Sequence, residues 1–220
     1  MNTFVVDRDS ITIPAWVSDH DSFRRWVHSE EFPPEGRICF LQGETWVDMS
    51  KEQAFSHNQV KNEYSYVLTG ITKRRGGTFC PDGMFLSNVD VGLSARPDGM
   101  YATEEAFAEG RVRWIEGEDE GFLELEGSPD MVMEIISTSS VKKDKITLPP
   151  LYWQAGIFEY WLVDVRGERT EFDMFRRGPR GFVPVRKQGG WLKSNVFELS
   201  FRLEKKFDKR GNPMFSLLVR

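Results

Sequence analysis

The chain has 220 residues and a formal net charge of −5 at pH 7, a size that suits one sizeable core or two small ones. Its hydrophobic share of 40% and charged share of 29% exclude wholesale disorder. No apolar run approaches the roughly 20 residues that span a bilayer. We therefore expect no membrane segment and a cytoplasmic protein.

The first third of the chain predicts one short helix, a hairpin and one long helix. Residues 1–35 are expected to form an irregular lead with a helix that has Ser18 as its N-cap. The segment 37–50 predicts a β-hairpin that turns at Gly43. Apolar side chains then recur at helical spacing through residues 51–72, which predicts the first long helix.

The rest of the chain predicts strands around a shorter helix. A strand is expected at 96–103, and the acid-rich stretch 104–127 predicts a helix and a hairpin. The near-continuous apolar runs at 128–140 and 157–165 predict strands that are buried on both faces. These elements indicate an α/β protein with a mixed β-sheet flanked by helices and with added β-hairpins. We expect a single domain over residues 1–220, with a lead at 1–35, a core at 36–200 and a C-terminal extension at 201–220.

Glu134 is the strongest chemical signal in the sequence. It lies in the apolar run MVMEIIS, where an ionised carboxylate without a partner is costly to bury. A nearby cation, from a lysine, an arginine or a metal ion, removes that cost. The residues alone leave open a salt bridge to a neighbouring strand or a strand face that reaches solvent.

Asp98 is the second candidate for a functional carboxylate. It follows Pro97 at the start of a predicted strand, and Gly99 leaves space beside it. The commoner role of a Pro-Asp-Gly triplet is a plain turn, and the same triplet at residues 81–83 fits a turn better.

These segments resemble the Uma-two family of proposed endonucleases, which belongs to the PD-(D/E)xK nuclease superfamily. The family pattern is a Pro-Asp strand, a Pro-Asp-hydrophobic-Glu-Val-Leu-Ser strand, a helix led by Asp, and a Glu-Tyr-Trp-hydrophobic-Val-Asp strand. In this sequence the corresponding segments are 97–98, 129–137, 144–156 and 159–164. The resemblance implies a restriction-endonuclease-like core.

The resemblance also implies metal-assisted hydrolysis of DNA phosphodiester bonds. Asp98, Glu134 and the backbone carbonyl of Ile135 would hold Mg²⁺ or Mn²⁺, since these ions prefer oxygen ligands. The ion would lower the pKa of a bound water, and a lysine would orient that water. His57, at the start of the first long helix, would contact the site. A lone histidine on an apolar helix face is more often a hydrogen-bonded packing residue.

The expected lysine is missing from both of its usual places. Leu148 stands where many family members have a lysine on the helix, and Ile136 stands where the wider superfamily has one. We expect Lys145 to take the lysine's role, ahead of its neighbours Lys142 and Lys143.

Further departures from the family pattern keep other hypotheses open. Cys39 replaces the glutamate of the family's first hairpin, although Glu44 lies close, and Thr138 replaces a turn proline. A chain that retains the fold but has lost catalysis would bind nucleic acid or a protein partner. In a third hypothesis Glu134 is only a member of a buried ion pair in an unrelated α/β domain.

Contact with DNA would require a local basic surface, because the net charge is negative. The candidates for that surface are Lys73, Arg74 and Arg75; Lys142 and Lys143; and Arg176, Arg177 and Arg180. Residues 116–126 are expected to form an acidic, solvated flap. Late aromatic residues are expected either to supply a homodimer face or to complete the core, and these include Trp191, Phe197, Phe201 and the tail 213–220.

Overall fold

The structure is a computed structural model that describes residues 11–34, 36–117 and 121–220. Its helices are α1 (His20–His28), α2 (Gln59–Arg75), α3 (Glu104–Ala108) and α4 (Leu148–Gln154). Two π-helical turns, Ala54–Asn58 and Lys143–Thr147, lead directly into α2 and α4, and a 3-10 turn covers Val89–Val91. None of the helices in these residues is long and apolar enough to cross a membrane.

The described strands form three sheets. The first sheet contains β1 (Arg37–Leu41), β2 (Glu44–Asp48), β4 (Phe85–Asn88), β5 (Leu93–Ala95), β7 (Val112–Glu116) and β8 (Phe122–Gly127), in the order β2-β1-β5-β4-β8-β7. The second, which we call the central sheet, contains β3 (Thr78–Pro81), β6 (Gly99–Ala102), β9 (Met131–Ile135), β10 (Glu159–Asp164), β11 (Glu171–Gly178) and β12 (Gly181–Pro184), in the order β12-β11-β10-β9-β6-β3. The third contains β13 (Leu192–Lys193), β14 (Ser200–Phe207) and β15 (Pro213–Val219).

The central sheet is mixed and is covered on both faces. Strands β9 and β10 run parallel, whereas β6 pairs antiparallel with β9. Val132 and Tyr160 pack in a core cluster that includes α4 and the first sheet. Met133 and Trp161 pack on the other face, in a cluster that includes α2 and the third sheet. Burial on both faces explains the near-continuous apolar sequence of β9, and the predicted α/β class with a mixed sheet is confirmed.

Local chemistry explains where the early elements begin and turn. The predicted hairpin is present, because Gln42 and Gly43 both adopt positive φ, as a two-residue hairpin turn requires. The short helix α1 is also present, but its N-cap is Asp19 and not Ser18. The Asp19 carboxylate accepts a 2.8 Å hydrogen bond from the Ser22 backbone N–H, and the Ser22 side chain completes a capping box.

The acidic insertion is part of the first sheet, so the expectation of a solvated flap is wrong for its second strand. Strand β8 pairs with β4 on one side and β7 on the other. Glu124 is 1% exposed and accepts hydrogen bonds from Arg24 Nε at 2.8 Å and His28 Nε2 at 2.7 Å. Arg24 and His28 of α1 thus compensate the burial of a carboxylate that the local sequence predicts to be solvated. Residues 118–120 of the expected flap lie outside the described residues.

Three of the late aromatic residues complete the core. Phe197, Phe201 and Phe215 are buried in the cluster beneath the central sheet, and the Phe201 ring lies 4.9 Å from that of Trp161. Of the two expected roles, the structure favours packing, because these rings are already covered within one chain. The homodimer remains an expectation that these residues do not support.

Candidate active site

The register of two central strands brings Asp98 and Glu134 together. Strand β6 pairs antiparallel with β9 so that Gly99 lies opposite Met133. Asp98, one residue before β6, therefore falls opposite Glu134, and residues that are directly opposite point to the same face of a sheet. Both residues are 1% exposed. The two predicted carboxylates thus meet at one end of the strand pair.

Asp98 is surrounded by hydrogen-bond donors and cations. Its Oδ2 accepts a 2.7 Å hydrogen bond from the Ile135 backbone N–H, and its Oδ1 accepts one of 3.1 Å from Arg37 Nη2. His57 Nε2 lies 3.4 Å from Oδ2. Burial alone would raise the pKa of Asp98, but His57, Arg37 and the Ile135 N–H outweigh it and lower the pKa to about 2. Asp98 is consequently ionised across the physiological range.

Glu134 lies beside Asp98 in a much poorer environment for a negative charge. The Tyr152 hydroxyl donates a 2.6 Å hydrogen bond to its Oε1. Its Oε2 accepts no hydrogen bond from the described residues, and the closest cation is Lys143 Nζ at 4.0 Å. Burial, opposed by Lys143 and reinforced by the charges of Asp144 and Asp98, raises the pKa of Glu134 to about 8. At neutral pH the carboxyl therefore retains a proton unless a further cation arrives.

Lys143 and Asp144 extend this group; the sequence ranks Lys143 behind Lys145 and indicates Asp144 only as the start of the family's helix. Lys143 Nζ lies 3.2 Å from Asp144 Oδ1, an oxygen that accepts no hydrogen bond from the described residues. Burial disfavours the charge of Lys143, but the Glu134 and Asp144 carboxylates hold its pKa above the usual value. Burial also raises the pKa of Asp144, despite the adjacent Lys143.

Lys145, the lysine expected at the site, lies elsewhere. Its Nζ is 3.5 Å from Asp164 Oδ2, and its side chain is 38% exposed. Among the described residues it forms no ion pair with Asp98 or Glu134. The π-helical turn of residues 143–147 instead directs Lys143 toward the carboxylates.

His57 and Ile135 both contact Asp98 from neighbouring elements. The π-helical turn before α2 buries His57, whose side chain is 3% exposed. The Ile135 N–H faces Asp98, while the next residue, Ile136, bonds through its N–H to Val163 of β10. Since the N–H and C=O of one strand residue point the same way, the Ile135 carbonyl also faces the Asp98 side.

Arg37 links Asp98 to an outer layer of charges and had no signal in the sequence. Its Nη2 lies 2.7 Å from Glu52 Oε1 and 3.6 Å from Asp82 Oδ2, in addition to its contact with Asp98. Lys61 Nζ bridges the same two acids, at 2.5 Å and 2.7 Å. Asp82 belongs to the Pro-Asp-Gly turn at residues 81–83, so that turn also places a charge near the site.

Cys39 occupies the position where the family resemblance places a glutamate. It is buried, and the charges of Lys143, Glu134 and Asp144 act on it. Burial raises the pKa of the Cys39 thiol to about 12, so it is a neutral group at neutral pH. Glu44, the nearby alternative, is exposed at the start of β2.

Two cavities flank Arg37 and give access to this region. One, of about 320 Å³, is lined by the hydroxyl residues 137–139 and by Arg37, His57 and Arg166. The other, of about 260 Å³, is lined by Cys39 and by the basic side chains Arg37, Arg96, Lys142 and Lys143. Asp48 and Ser139 line both cavities. Basic and hydroxyl groups suited to phosphate therefore border the carboxylate pair on two sides.

The side chains alone do not form a conventional three-ligand metal site. In residues 11–34, 36–117 and 121–220, no group of three or more His, Cys, Asp or Glu side chains is arranged to hold a metal ion. What converges is a smaller set of oxygens: two opposed carboxylates and the side of β9 that carries the Ile135 carbonyl. Such oxygens are the ligands of hard divalent cations.

A mixed sheet with helices on both faces and a buried pair of acids at a strand end define a protein of nuclease-like fold. The chain belongs to the Uma2 family, whose description is "Putative restriction endonuclease" and whose model matches residues 21–204. The family membership predicted from the sequence is thus confirmed.

A solved structure supports the same fold. The chain is similar to a crystal structure described as "a putative nuclease belonging to DUF820" from Anabaena variabilis, with a TM-score of 0.58 and 15% sequence identity. The similarity covers 82% of this chain and 90% of the other. At this identity the likeness shows the fold alone. No curated protein matches the chain.

Proposed function

We propose that this protein is a metal-dependent endonuclease that hydrolyses DNA phosphodiester bonds. Asp98, Glu134 and the Ile135 carbonyl would hold Mg²⁺ or Mn²⁺ between them. The observation that carries the proposal is Glu134 Oε2, a buried carboxylate oxygen with no hydrogen bond from the described residues, on the same face of the sheet as the ionised Asp98. A divalent cation would supply the charge that this oxygen lacks.

The residues present fit such an ion in chemistry and in number. Mg²⁺ commonly binds through one or two carboxylates and completes its shell with water and substrate phosphate oxygens, so a third acidic ligand is not required. When bound, the ion would lower the pKa of a coordinated water and neutralise charge on the scissile phosphate. Asp98 would bind it with the orientation that Arg37 and the Ile135 N–H impose.

Lys143 is the lysine that we propose for the site. It is held by Glu134 and Asp144 and remains protonated, so it can donate hydrogen bonds to a water or to a phosphate oxygen. Lys145, paired with Asp164, would need to leave its partner to take that role. We assign His57 a positioning role, because its closest partner is Asp98 and not open solvent.

The two flanking cavities give the substrate strand a path over the site. Phosphates on one side would contact the hydroxyls of residues 137–139 and Arg166, and those on the other side would contact Arg96 and Lys142. Positive groups at these places offset the net charge of −5 where the polyanion approaches.

A second candidate is a nuclease-fold protein without catalysis that binds nucleic acid or a protein partner. The observation in its favour is Asp98 itself, whose two oxygens already accept hydrogen bonds from Arg37 and Ile135. A metal ion would have to share or displace the Arg37 contact. The two functions differ in whether binding of nucleic acid is followed by cleavage.

Incubation of plasmid and single-stranded DNA with the purified protein and Mg²⁺ or Mn²⁺ separates the two. We expect cleavage by the wild type and by Glu171→Gln, a control at an exposed glutamate of β11. We expect Glu134→Gln to lower the rate by more than about 100-fold, since it removes a metal ligand. Absence of cleavage, or equal cleavage by both variants, would refute the endonuclease proposal.

A further inference from the structure

A third cavity, remote from the carboxylates, is lined by cations. It has a volume of about 440 Å³ and lies between the β12 edge, the turn into β13 and the ends of β14 and β15. Four basic side chains line it, Arg176, Arg186, Lys193 and Arg220, together with Trp191. Among the described residues that line it there is no aspartate or glutamate. We call this the arginine cavity.

The positive charge of the arginine cavity is not balanced locally. Within the described chain, none of its four basic residues forms an ion pair. Glu159, which lies opposite Arg176 in the strand register, instead accepts hydrogen bonds from Trp161 and Ser194, and other acids have cationic partners. Asp173 pairs with Lys187 at 2.8 Å, and Glu204 pairs with Arg202. Clustered like charges repel one another, so a bound anion would lower the free energy of this region.

Several contacts hold the basic side chains in place before any ligand binds. Arg220 lies over the Trp191 ring with its guanidinium carbon 4.3 Å from the ring centre, and Arg202 contacts the same ring at 4.9 Å. Arg176 Nη2 donates a 2.9 Å hydrogen bond to the Lys193 carbonyl, while its buried Nε has no partner among the described residues. Stacked, preorganised guanidinium groups lose less side-chain entropy when they bind.

The arginine cavity is separate from the candidate active site. In the strand register Arg176 lies opposite Glu159, and Glu159 lies opposite Met131, at the opposite end of β9 from Glu134. The Glu134 side chain lies on the face of the central sheet that packs against Tyr152 and α4. Arg176 lies on the other face, which it shares with Phe172 and Met174 of the same strand. A ligand in this cavity therefore does not touch the carboxylates.

We infer that the arginine cavity binds backbone phosphates of a nucleic-acid strand, as a second contact outside the active site. Guanidinium groups match phosphate oxygens with paired hydrogen bonds, and three of the four cations here are arginines. The choice of nucleic acid over another polyanion rests on the proposed function. The charge and geometry of the cavity are independent of it.

The test is DNA binding in EDTA, where no metal-dependent cleavage can occur. Fluorescence anisotropy with short labelled single-stranded and duplex DNA would compare the wild type with Arg186→Ala/Arg220→Ala over a series of salt concentrations. The matched control is Lys209→Ala/Arg210→Ala, which removes two exposed charges from the turn at the opposite end of the β14–β15 hairpin. Thermal melts would verify that each variant is folded, and Arg186→Glu at an exposed position serves if the double variant is not.

The cavity variant should bind about tenfold more weakly, and the slope of log K against log salt should become shallower by about 1 to 2. The control should bind like the wild type. Equal weakening of both double variants, unchanged binding by the cavity variant, or no binding by the wild type would overturn the inference. Because this assay contains EDTA, its outcome does not depend on whether the protein cleaves DNA, so a failure of the cleavage assay leaves this result intact.

Discussion

Asp98 and Glu134 lie opposite each other on two neighbouring strands, yet their surroundings shift the two pKa values in opposite directions. Asp98 receives an arginine, a backbone N–H and a histidine, and its pKa falls to about 2. Glu134 receives one tyrosine hydroxyl and a lysine at 4.0 Å, and its pKa rises to about 8. The contrast teaches that the fold itself stabilises the ionised form of Asp98, whereas it supplies too little positive charge to stabilise the ionised form of Glu134. Such a difference between two neighbouring carboxyl pKa values is expected of a site that binds a cation.

The largest expected effect separates the two acids by stability. Asp98→Asn should cost about 3–5 kcal/mol of unfolding free energy without metal, because it leaves Arg37 facing a buried group without charge. Glu134→Gln should cost less than about 1 kcal/mol or stabilise the protein, since at neutral pH it replaces a protonated carboxyl with an amide that retains an acceptor for Tyr152. Denaturant unfolding in EDTA measures both. Equal losses would contradict the asymmetry and favour a plain buried ion pair at Glu134.

The next effect concerns the lysines. Lys143→Met should lower the cleavage rate by about 100-fold, because a positioned donor that assists proton transfer contributes at least this much. Lys145→Met should change the rate by less than about twofold, as expected of an exposed ion pair. Single-turnover cleavage assays with saturating Mn²⁺ make the comparison. A larger loss in Lys145→Met would return the role to the lysine first expected from the sequence.

A smaller effect is the pH dependence of stability. The folded protein holds the Glu134 proton more tightly than the unfolded chain, because the pKa is raised from 4.5 to about 8. This contribution is therefore fully present below about pH 4.5 and is lost as the pH rises to about 8. Unfolding curves in EDTA at several pH values should show the loss in the wild type relative to Glu134→Gln. Parallel pH profiles of the two proteins would show that the pKa of Glu134 is not raised in the folded protein.

The carboxylates were predictable because each has a local sequence signal. Glu134 interrupts an apolar strand, and Asp98 follows a proline at a strand start. The family pattern then paired them, and the register of β6 and β9 agrees. The hairpin at Gly43 was predictable for a similar reason, since its turn chemistry is local.

Arg37 and Lys143 were not predictable, because their contacts depend on tertiary structure. Arg37 reaches Asp98 only after β1 and β6, which lie in different sheets, have packed. Of the three lysines at 142, 143 and 145 the sequence favours Lys145, but the directions of their side chains depend on a π-helical turn. A π-helical turn changes the angle between successive side chains from that of an α-helix, so α-helical spacing does not tell which of these lysines faces the carboxylates.

The acidic strand β8 shows the same limitation in another place. The local sequence predicts a solvated Glu124. The residue is buried because α1 packs beside it and brings Arg24 and His28 to its carboxylate. Local patterns therefore identify charged residues that interrupt an apolar strand, such as Glu134. They do not locate the partners that a distant element supplies.

Calorimetric titration of Mn²⁺ into the metal-free wild type and Glu134→Gln is the most direct test of the account. We predict binding to the wild type with release of the Glu134 proton, seen below pH 8 as a heat that varies with the ionisation enthalpy of the buffer. We predict no binding to Glu134→Gln. Equal binding by both proteins, or none by either, would contradict the claim that the raised pKa and unpaired oxygen of Glu134 reflect a site for a divalent cation.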